Sequence, residues 1–574
     1  MKSIAEVNMN AVAKRMGLRG RKLTGPWVGI RATLLALLIA FFLSGMTTLV
    51  RADFSPLWIS RVAAGTSLGA GPAGIHVDPD GVSYITGTVG SSSVNDIKTV
   101  SFAPDGTTRW SHTYDSGKSG DQAHGIARGP GNLLYVVGNT PGPNDFAQVL
   151  ILIYDATNGT LLKTIKYSSG PNISEAGLGI VGDAAGNIYV IATTTGDGPD
   201  VMTVKFNAAG VAQWRKVWDG TAFPPFDLDS PVKILLDPAG NVLSCITGYM
   251  AGGHPDYVVV KYAPTNGATL WEATWGVAGG DFPADMEIDA AGDVYVTGIG
   301  IDFIDKYSTI KLRGSDGQLL WQFYDALGQD HSATGLFLDG VGGVFITGAS
   351  DPDGNDGNFN DDFFTVKRDA TTGAQLWTHT YGDSCVGCFD VPSDVRVDPE
   401  GNVFVIGRTS SAPFSNDVIL FVLDTATGVE KDRGVVFNTG AETPTSGPLR
   451  FDAAFNLFDG GQIYNANTGA IDMTVTKWAS LIGAGGGISC DAVASFQARC
   501  KPTRNGHRLL ARVTLADTSH SGEQVTISVD GTPNIVTISG NRAQLSINNA
   551  AAGEHTFELT VPAGCFPPTV TTCD

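Results

Sequence analysis

Short runs of alternating apolar and polar residues follow one another along most of the chain, separated by turns rich in glycine, aspartate, asparagine and proline. The segment Val395–Gly407, VRVDPEGNVFVIG, shows the unit most clearly: an alternating strand, an Asp-Pro-x-Gly-Asn turn, and a more apolar second strand that ends on glycine. Runs rich in β-branched and aromatic residues and bounded by turn residues are typical of β-strands. A strand that is apolar on both faces is expected where neighbouring sheets cover it from both sides.

This strand–turn–strand unit recurs eight times, and we number the copies repeats 1 to 8. The eighth copy is degenerate, with Phe455 in the slot of the turn glycine. The glycines of the other seven copies are Gly81, Gly131, Gly186, Gly240, Gly292, Gly343 and Gly401. Successive copies lie 50 to 58 residues apart. That period is too long for solenoid repeats and is typical of four-stranded β-propeller blades.

Two further strands complete a repeat. The third strand often opens with aspartate, as in Asp362–Gly373, and the fourth carries a tryptophan. The fourth-strand tryptophans are Trp110, Trp214, Trp271, Trp321 and Trp377. The opening segment Phe54–Gly65 resembles a fourth strand, with Trp58, that has no repeat of its own, and the eighth repeat shows only a shortened third strand at about 462–469, QIYNANTG.

The sequence therefore predicts an all-β fold, an eight-bladed β-propeller whose last blade is completed by the strand of Trp58. Seven blades is the alternative, if the degenerate copy is a linker. Closing the ring in this way leaves few exposed strand edges, which protects such apolar strands from aggregation.

The pattern changes after about Ile482, where short alternating strands separated by polar turns begin. A small Ig-like β-sandwich fits this pattern. The predicted organisation is thus an export segment at 1–52, a propeller at 53–482 and a sandwich with cysteine pairs at 483–574.

The seven cysteines fall into three groups. Cys245 is expected to be buried in its strand. Cys385 and Cys388 lie in a turn after a tryptophan strand, where a tight structural disulfide or a pair of metal-free thiols is favoured over redox chemistry, because no strand-to-helix context activates a thiolate. The four cysteines of the tail allow three connectivities, among which the sequence does not choose; they are Cys490, Cys500, Cys565 and Cys573.

The N-terminus has the pattern of an export signal. Basic residues precede an uncharged run, Ala32–Val50, and Val50 and Ala52 occupy the positions three and one before a cut after Ala52. An uncleaved membrane anchor is the alternative reading of this run. We expect the rest of the protein at the cell surface or in the medium, with the periplasm as an alternative, and no membrane contact beyond the N-terminal segment.

Charge narrows the range of partners. Residues 53–574 contain 29 basic and 56 acidic residues. A chain this acidic repels nucleic acid and anionic lipid headgroups, and its surface attracts cations. We therefore expect no nucleic-acid partner.

The repeats resemble the SBBP class of bacterial β-propeller repeats. The resemblance lies in Asp121-Gln-Ala-His-Gly-Ile126, in the Asp-x-x-Gly-Asn-Val-Tyr-Val-x-Gly turn, in Asp362–Lys367 and in the Trp377…Gly382 strand, and it covers about Phe54–Trp478. It implies a propeller and no common activity, and the family name suggests seven blades. The Asp…Gly…Trp spacing in DATTGAQLW is similar to the docking motif of eight-bladed quinone-dependent dehydrogenases, and the tail resembles bacterial Ig-like domains.

Aspartates recur at two equivalent positions of the repeats, and both sets are candidates for a functional role. Those at the start of the strand 1–strand 2 turn are expected to accept backbone N–H bonds from residues two positions ahead, which is a structural role; they are Asp78, Asp237, Asp289, Asp339, Asp398 and Asp452. Those that open the third strand are given the same structural reading, although they could line one rim and make it negative; they are Asp96, Asp145, Asp200, Asp256, Asp362 and Asp417.

The acidic loop Asp351–Asp362 is the sharpest local anomaly. Oxygen ligands on alternate residues, Asp351, Asp353 and Asn355, suit a hard cation such as Ca²⁺, but the loop lacks the EF-hand spacing. A flexible acidic loop is the competing reading. No other cofactor is predicted.

Catalytic signatures are weak. Gly65-Thr-Ser-Leu-Gly69 matches a nucleophile string without a following helix, and the nine histidines form no metal-binding motif. The favoured function is a non-enzymatic exported scaffold that binds a protein or glycan. The alternatives are a secreted lyase, hydrolase or quinone-dependent oxidoreductase with a site at the central channel, and a membrane-tethered structural protein.

Overall fold

The structure, a computed structural model, describes most of the chain after residue 55. The described residues are 56–65, 71–91, 94–195, 198–220, 228–250, 253–277, 279–302, 304–325, 329–351, 361–382, 390–412, 415–436, 442–466, 469–478, 493–503, 506–516, 524–529, 532–550, 552–561 and 569–573. All regular secondary structure within them is β. None of them forms a helix long and apolar enough to cross a membrane. The predicted export segment 1–52 lies outside them.

Repeats 2 to 7 each fold into one four-stranded antiparallel sheet whose strands pair in chain order. Repeat 2 comprises β6 Gln122–Arg128, β7 Leu133–Pro141, β8 Ala147–Asp155 and β9 Leu161–Tyr167; repeat 3 comprises β10 Glu175–Gly182, β11 Ile188–Thr195, β12 Pro199–Phe206 and β13 Ala212–Trp218. Repeat 4 comprises β14 Ser230–Leu236, β15 Val242–Tyr249, β16 Pro255–Tyr262 and β17 Thr269–Trp275; repeat 5 comprises β18 Asp281–Ile288, β19 Val294–Asp302, β20 Ile304–Leu312 and β21 Leu319–Asp325. Repeat 6 comprises β22 Gln329–Leu338, β23 Gly343–Asp351, β24 Asp362–Asp369 and β25 Gln375–Tyr381; repeat 7 comprises β26 Val391–Val397, β27 Asn402–Ala412, β28 Ser415–Asp424 and β29 Glu430–Val436.

The first and last repeats share a nine-stranded sheet. Repeat 1 contributes β2 Gly71–Val77, β3 Ser83–Ser91, β4 Val94–Phe102 and β5 Thr108–Tyr114; repeat 8 contributes β30 Glu442–Thr445, β31 Leu449–Phe451, β32 Leu457–Asn465 and β33 Ala470–Trp478. The opening strand β1, Pro56–Gly65, runs antiparallel to β33 as the fourth strand of repeat 8, with Trp58 opposite Lys477. A parallel bridge from Gly65 to Gly90 joins β1 to β3.

The series of repeats returns to its start. The first strands touch in the order β2, β6, β10, β14, β18, β22, β26 and β31, and β31 touches β2 again. Hydrophobic cores lie between neighbouring sheets, and the core between repeats 8 and 1 includes Met473 and Phe458 together with Val62, Ile85 and Val100. The strand of Trp58 therefore completes repeat 8, as the sequence predicts.

Each fourth-strand tryptophan docks on the following repeat. Its indole N–H donates to a carbonyl oxygen one repeat further on, as Trp110 does to Ala156 at 2.9 Å and Trp377 to Thr425 at 2.9 Å. Trp214, Trp271 and Trp321 make the same bond to Pro264, Gly314 and Ala370. Trp58 donates to Pro104 of repeat 1 at 3.1 Å, so the first and last repeats are joined by the contact that joins the others.

The third strand of repeat 8 differs from the prediction. Instead of a short strand at 462–469, the structure has a nine-residue strand, Ala470–Trp478, and QIYN completes β32. The sequence reading ended the repeat too early, because the third strand is marked by Asp472, which stands five residues before Lys477 as Asp362 does before Lys367. The pairing of β33 with both β32 and β1 sets its full length.

One turn glycine was also assigned one position too late. Gly81, Gly131, Gly186, Gly240, Gly292 and Gly401 have positive φ, and Phe455 in the eighth slot has φ 56°. In repeat 6, Gly342 has positive φ (112°), whereas Gly343 donates its N–H to Asp339 at 2.7 Å. Gly343 thus takes the place of the asparagine that follows the turn glycine in other repeats.

The tail forms two further sheets. A three-stranded sheet contains β34 Val493–Thr503, β35 Gly506–Leu515 and β38 Arg542–Ala550; a four-stranded sheet contains β36 Gln524–Val529, β37 Thr532–Thr537, β39 Gly553–Val561 and β40 Thr569–Cys573. One apolar core includes residues of both sheets, among them Val513, Ile527 and Phe557. Cys500 and Cys573 form a disulfide. Cys490 and Cys565 lie outside the described residues.

Candidate functional site

The first strands carry charges where most repeats carry small or apolar residues. Of the positions two and four residues before the turn, both are charged in repeats 5 and 7, and one is charged in repeats 4 and 8. Most of the same positions in the other repeats hold glycine or an apolar residue. The position between them is apolar and buried in every repeat except the second, where Ile126 is half-buried. We name these six residues the inner-strand charge cluster: Lys233, Asp285, Glu287, Asp394, Arg396 and Arg450.

The cluster ties neighbouring repeats together. The Lys233 ammonium of β14 lies 2.7 Å from Asp285 and 3.1 Å from Glu287, both on β18. The other Asp285 carboxylate oxygen accepts the backbone N–H of Leu336 on β22 at 3.0 Å. Three consecutive first strands are therefore linked through two carboxylates.

A second group within the cluster links repeats 7 and 8. Asp394 lies 2.7 Å from Arg396 and 3.7 Å from Arg450, and it accepts the N–H of Leu449 at 2.8 Å. Burial, and then the charge of Arg396, lower the pKa of Arg450, while Asp394, Glu287 and Asp285 oppose that change. The charges of repeats 5, 7 and 8 therefore act on one another.

The protonation state of the lysine limits the chemistry of this cluster. Burial disfavours the charged form of Lys233, but Asp285 and Glu287 outweigh it and raise its pKa. A nucleophilic or general-base lysine needs the opposite shift. With three cations facing three carboxylates, the arrangement suits the locking of adjacent strands.

The turn aspartates have the structural role that the sequence predicts. Asp398 accepts the N–H groups of Glu400 and Asn402 at 3.0 and 2.8 Å, and the Asn402 side chain bonds its other oxygen at 2.8 Å. The same double backbone bond occurs at Asp237, Asp289, Asp339 and Asp452. The sequence reading did not include Asp183 of repeat 3, which makes the same bonds.

Asp78 differs from the other turn aspartates. Its carboxylate lies 2.7 Å from Arg128 of repeat 2 and accepts the Tyr84 hydroxyl at 2.9 Å. Burial opposes its charge, but hydrogen bonds from His76, Arg128 and Tyr84 lower its pKa to about 2. It therefore links the first two repeats.

The third-strand aspartates have unequal environments. Asp200 is buried, whereas Asp145 is exposed and pairs with Lys118 at 2.6 Å. Asp96, Asp256, Asp362 and Asp417 are half-buried. The sequence reading missed that a second acidic residue stands at the start of the next repeat's first strand in five repeats, at Asp121, Glu175, Asp229, Asp281 and Asp390, all buried. The sequence does contain a signal for these residues, because an acidic residue recurs at or just before the first strand.

The acidic residues at the start of the first strands lie close to the third-strand aspartates, and the resulting repulsion is seen at Asp281 and Asp256. Burial, and then the charge of Asp256, raise the pKa of Asp281 to about 6, although the N–H of Val277 donates to it. The pKa of Asp256 is also raised by burial. Where repeats 4 and 5 adjoin, the Asp256 carboxylate therefore disfavours ionisation of Asp281.

The predicted calcium loop is described only at its ends. Asp351 is buried at the end of β23, while Asp353 and Asn355 lie in the segment 352–360, outside the described residues. Cys385 and Cys388 also lie outside them. Both predictions stay predictions. Cys245 is a buried free thiol in β15, and burial raises its pKa to about 12, so the thiolate is suppressed.

Comparison with known proteins gives matches of structure alone. No protein-family model matches the chain, and no curated protein does. Among solved structures, the WD40 domain of SCAP from fission yeast is 9% identical, with a TM-score of 0.41 over 74% of this chain and 98% of that one. Sqt1 from Chaetomium thermophilum is 11% identical, with a TM-score of 0.43 over 72% and 99%. A eukaryotic initiation factor is 9% identical, with a TM-score of 0.33 over 66% and 91%.

Proposed function

We propose that the protein is an exported, non-enzymatic scaffold that binds another protein. In this proposal the eight repeats are the eight blades of one β-propeller, and the tail is an Ig-like sandwich. The closed series of first strands and the recurrent tryptophan contacts support the blade count. The two sheets around one core support the sandwich.

The observation that carries the binding proposal is a set of exposed leucines at equivalent positions. In five repeats the residue directly before the tryptophan position of the fourth strand is a leucine that keeps 40% to 59% of its surface exposed; these are Leu57, Leu162, Leu270, Leu320 and Leu376. The fourth strand is one of the two terminal strands of each sheet in repeats 2 to 7. Single exposed apolar residues need no explanation, but the same residue at the same register in five repeats presents a periodic apolar edge.

Aliphatic side chains favour a protein partner over a glycan. Apolar side chains are buried at the centres of protein interfaces, whereas an oligosaccharide presents mainly hydroxyl groups. We therefore choose protein from the two partner classes that the sequence leaves open.

The enzyme alternative has one observation in its favour, the convergence of six charged residues on the first strands. Against it, the lysine is held charged and the acids accept bonds from neighbouring groups. The cluster thus supports a scaffold role.

A binding experiment with matched variants tests the proposal. The exported chain is immobilised and incubated with secreted proteins, alongside the triple variant L162K, L270K and L376K and the control Q213K, which changes the equivalent position of repeat 3. We expect one saturable protein ligand, retained by the wild type and Q213K and lost by the triple variant. Exposed substitutions of this kind change stability by about 0.5 kcal/mol or less, so melting temperatures should agree.

Two results would contradict the proposal. One is a triple variant that retains the ligand. The other is saturable binding of oligosaccharides with no protein ligand, which would move the partner to the carbohydrate class.

A further inference from the structure

Three carboxylates from three strand ends meet where repeats 1 and 2 adjoin. Asp96 lies near the start of β4, Asp115 directly follows β5, and Asp121 directly precedes β6. One carboxylate oxygen from each residue lies within 4.8 Å of the others. The oxygens come from residues up to 25 positions apart in sequence, so the sheet arrangement brings them together.

Two oxygens of this cluster are shielded from solvent and accept no hydrogen bond from the described residues. Asp121 is fully buried, and although its Oδ2 accepts the N–H of Ser116 at 2.7 Å, its Oδ1 has no partner. Asp96 Oδ1 is likewise buried and without a partner, and so is the side-chain oxygen of the adjacent residue, Asn95. Buried polar atoms are normally satisfied, so three unpartnered acceptor oxygens on neighbouring residues make this position suited to a positively charged ligand.

The basic side chain of Lys118 does not supply that charge. Lys118, which is close in sequence, bonds the carbonyl of Gly142 and the carboxylate of Asp145 instead. Burial, and then the charges of Asp115 and Asp121, raise the pKa of Asp96, which reflects the same crowding of negative charge.

We propose that Asp96, Asp115 and Asp121 bind a divalent cation of the calcium type. Ca²⁺ takes six to eight oxygen ligands at about 2.3–2.6 Å in flexible geometry, so two ligand oxygens on opposite sides of the ion are about 4.8 Å apart. Asp96 and Asp121 each keep one carboxylate oxygen without a hydrogen-bond partner, so a cation can be bound without breaking a hydrogen bond to that oxygen. Exposed Asp115 leaves the ion an entry path and room for water ligands.

Two equivalent corners elsewhere in the molecule provide comparisons. In repeats 3 and 4, Asp200, Asp219 and Asp229 occupy the same positions and also lie within 4.8 Å. There, however, both oxygens of Asp229 accept backbone N–H groups, from Gly220 and Tyr249 at 2.7 Å each. The corresponding acid in the first cluster, Asp121, has an oxygen to spare.

In repeats 4 and 5 the middle carboxylate is absent. Asp256 and Asp281 correspond to Asp96 and Asp121, but the position of Asp115 is Gly276. Burial and the charge of Asp256 raise the pKa of Asp281 to about 6, so even two carboxylates at this position disfavour full ionisation.

The experiment uses the exported full chain, calcium titration calorimetry and melting temperatures in calcium or chelator. D115G converts the cluster into the arrangement that repeats 4 and 5 already fold with, and D219N is the matched control in the second three-carboxylate corner. We expect calcium to raise the melting temperature of the wild type and of D219N equally. We expect D115N to weaken calcium binding at least about tenfold, because it replaces a charged ligand by a neutral amide oxygen. We expect D115G to abolish binding, because it removes the ligand altogether.

The variant D353N separates this site from the acidic loop of repeat 6, and we expect it to leave the calcium effect unchanged. The proposal is wrong if calcium changes neither heat nor melting temperature, or if D115G retains wild-type affinity. It is also wrong if D96N raises the melting temperature equally in calcium and chelator, which would show that the cluster holds a proton instead.

Discussion

Replacing Gly106 by alanine tests the contact that joins the two ends of the repeat series. Gly106 of repeat 1 has φ 84°, and a Cβ atom there would lie 2.7 Å from Cδ2 of Trp58 and 3.0 Å from the Ser60 hydroxyl. Trp58 is held in place by its bond to Pro104 and by an edge contact with Phe458 at 6.0 Å between ring centroids. The methyl group therefore meets a side chain that cannot move away freely.

The expected cost has two parts. A positive φ costs alanine about 1–2 kcal/mol relative to glycine. Overpacking against a held side chain adds about 1–3 kcal/mol. We expect G106A to lower the free energy of unfolding by about 2–5 kcal/mol in total. The control G240A, at φ 81° with no atom within 4 Å of its Cβ, should lose only the first part.

A double-mutant cycle isolates the second part. W58A alone removes a hydrogen bond and aromatic packing, but in the W58A background G106A should cost no more than G240A does. The cycle should therefore show a coupling of about 1–3 kcal/mol. Urea unfolding followed by circular dichroism measures each variant without relying on tryptophan fluorescence.

Additivity would refute this reasoning. If G106A and W58A add within about 0.5 kcal/mol, or if G106A costs no more than G240A in the wild-type background, Trp58 does not pack on repeat 1. The closed series of repeats would then lose its main support.

Three further predictions concern buried groups. Burial raises the pKa of Asp459 to about 7, so protonation of this carboxyl group stabilises the folded state. The free energy of unfolding should therefore fall by up to about 4 kcal/mol as the pH rises from about 4 to about 7. D459N should remove this pH dependence. D325A should cost about 3–5 kcal/mol, because it leaves the buried guanidinium of Arg368 without its carboxylate partner. Reducing Cys500–Cys573 should destabilise the tail by about 3–4 kcal/mol in urea unfolding, because the bond closes a loop of 73 residues.

Each of these predictions has a control. D459N should match the wild type at low pH, and an unchanged pH slope would contradict the assignment to Asp459. D316A breaks the exposed pair of Arg313 and Asp316 and should cost about 1 kcal/mol or less. If D325A lowers the free energy of unfolding by as little as D316A does, burial of the unpaired Arg368 guanidinium carries no large cost, which contradicts the prediction. Equal stability of the oxidised and reduced tail would show that the disulfide constrains little.

The local elements follow from the sequence. Strands of alternating character, Asp-Gly turns and the approximately 54-residue period all depend on interactions within a few residues, and these recur in eight copies. Even the partner of the opening strand was predictable, because Trp58 repeats a pattern and the eighth repeat lacks a fourth strand of its own. The error at Gly343 arose where one copy departs from the turn pattern, whereas the error at residues 462–469 arose because the Asp472…Lys477 spacing of the third strand was overlooked.

The charged and acidic sites were decided by the tertiary structure. The inner-strand charge cluster and the corner of Asp96, Asp115 and Asp121 join side chains whose neighbours in space come from other strands or other repeats. A single strand pattern shows which face a side chain takes, but the stacking of one sheet on the next sets what it meets there. Sequence periodicity thus determined the sheets, whereas contacts between sheets determined where charge is paired and where oxygen atoms are left for a cation.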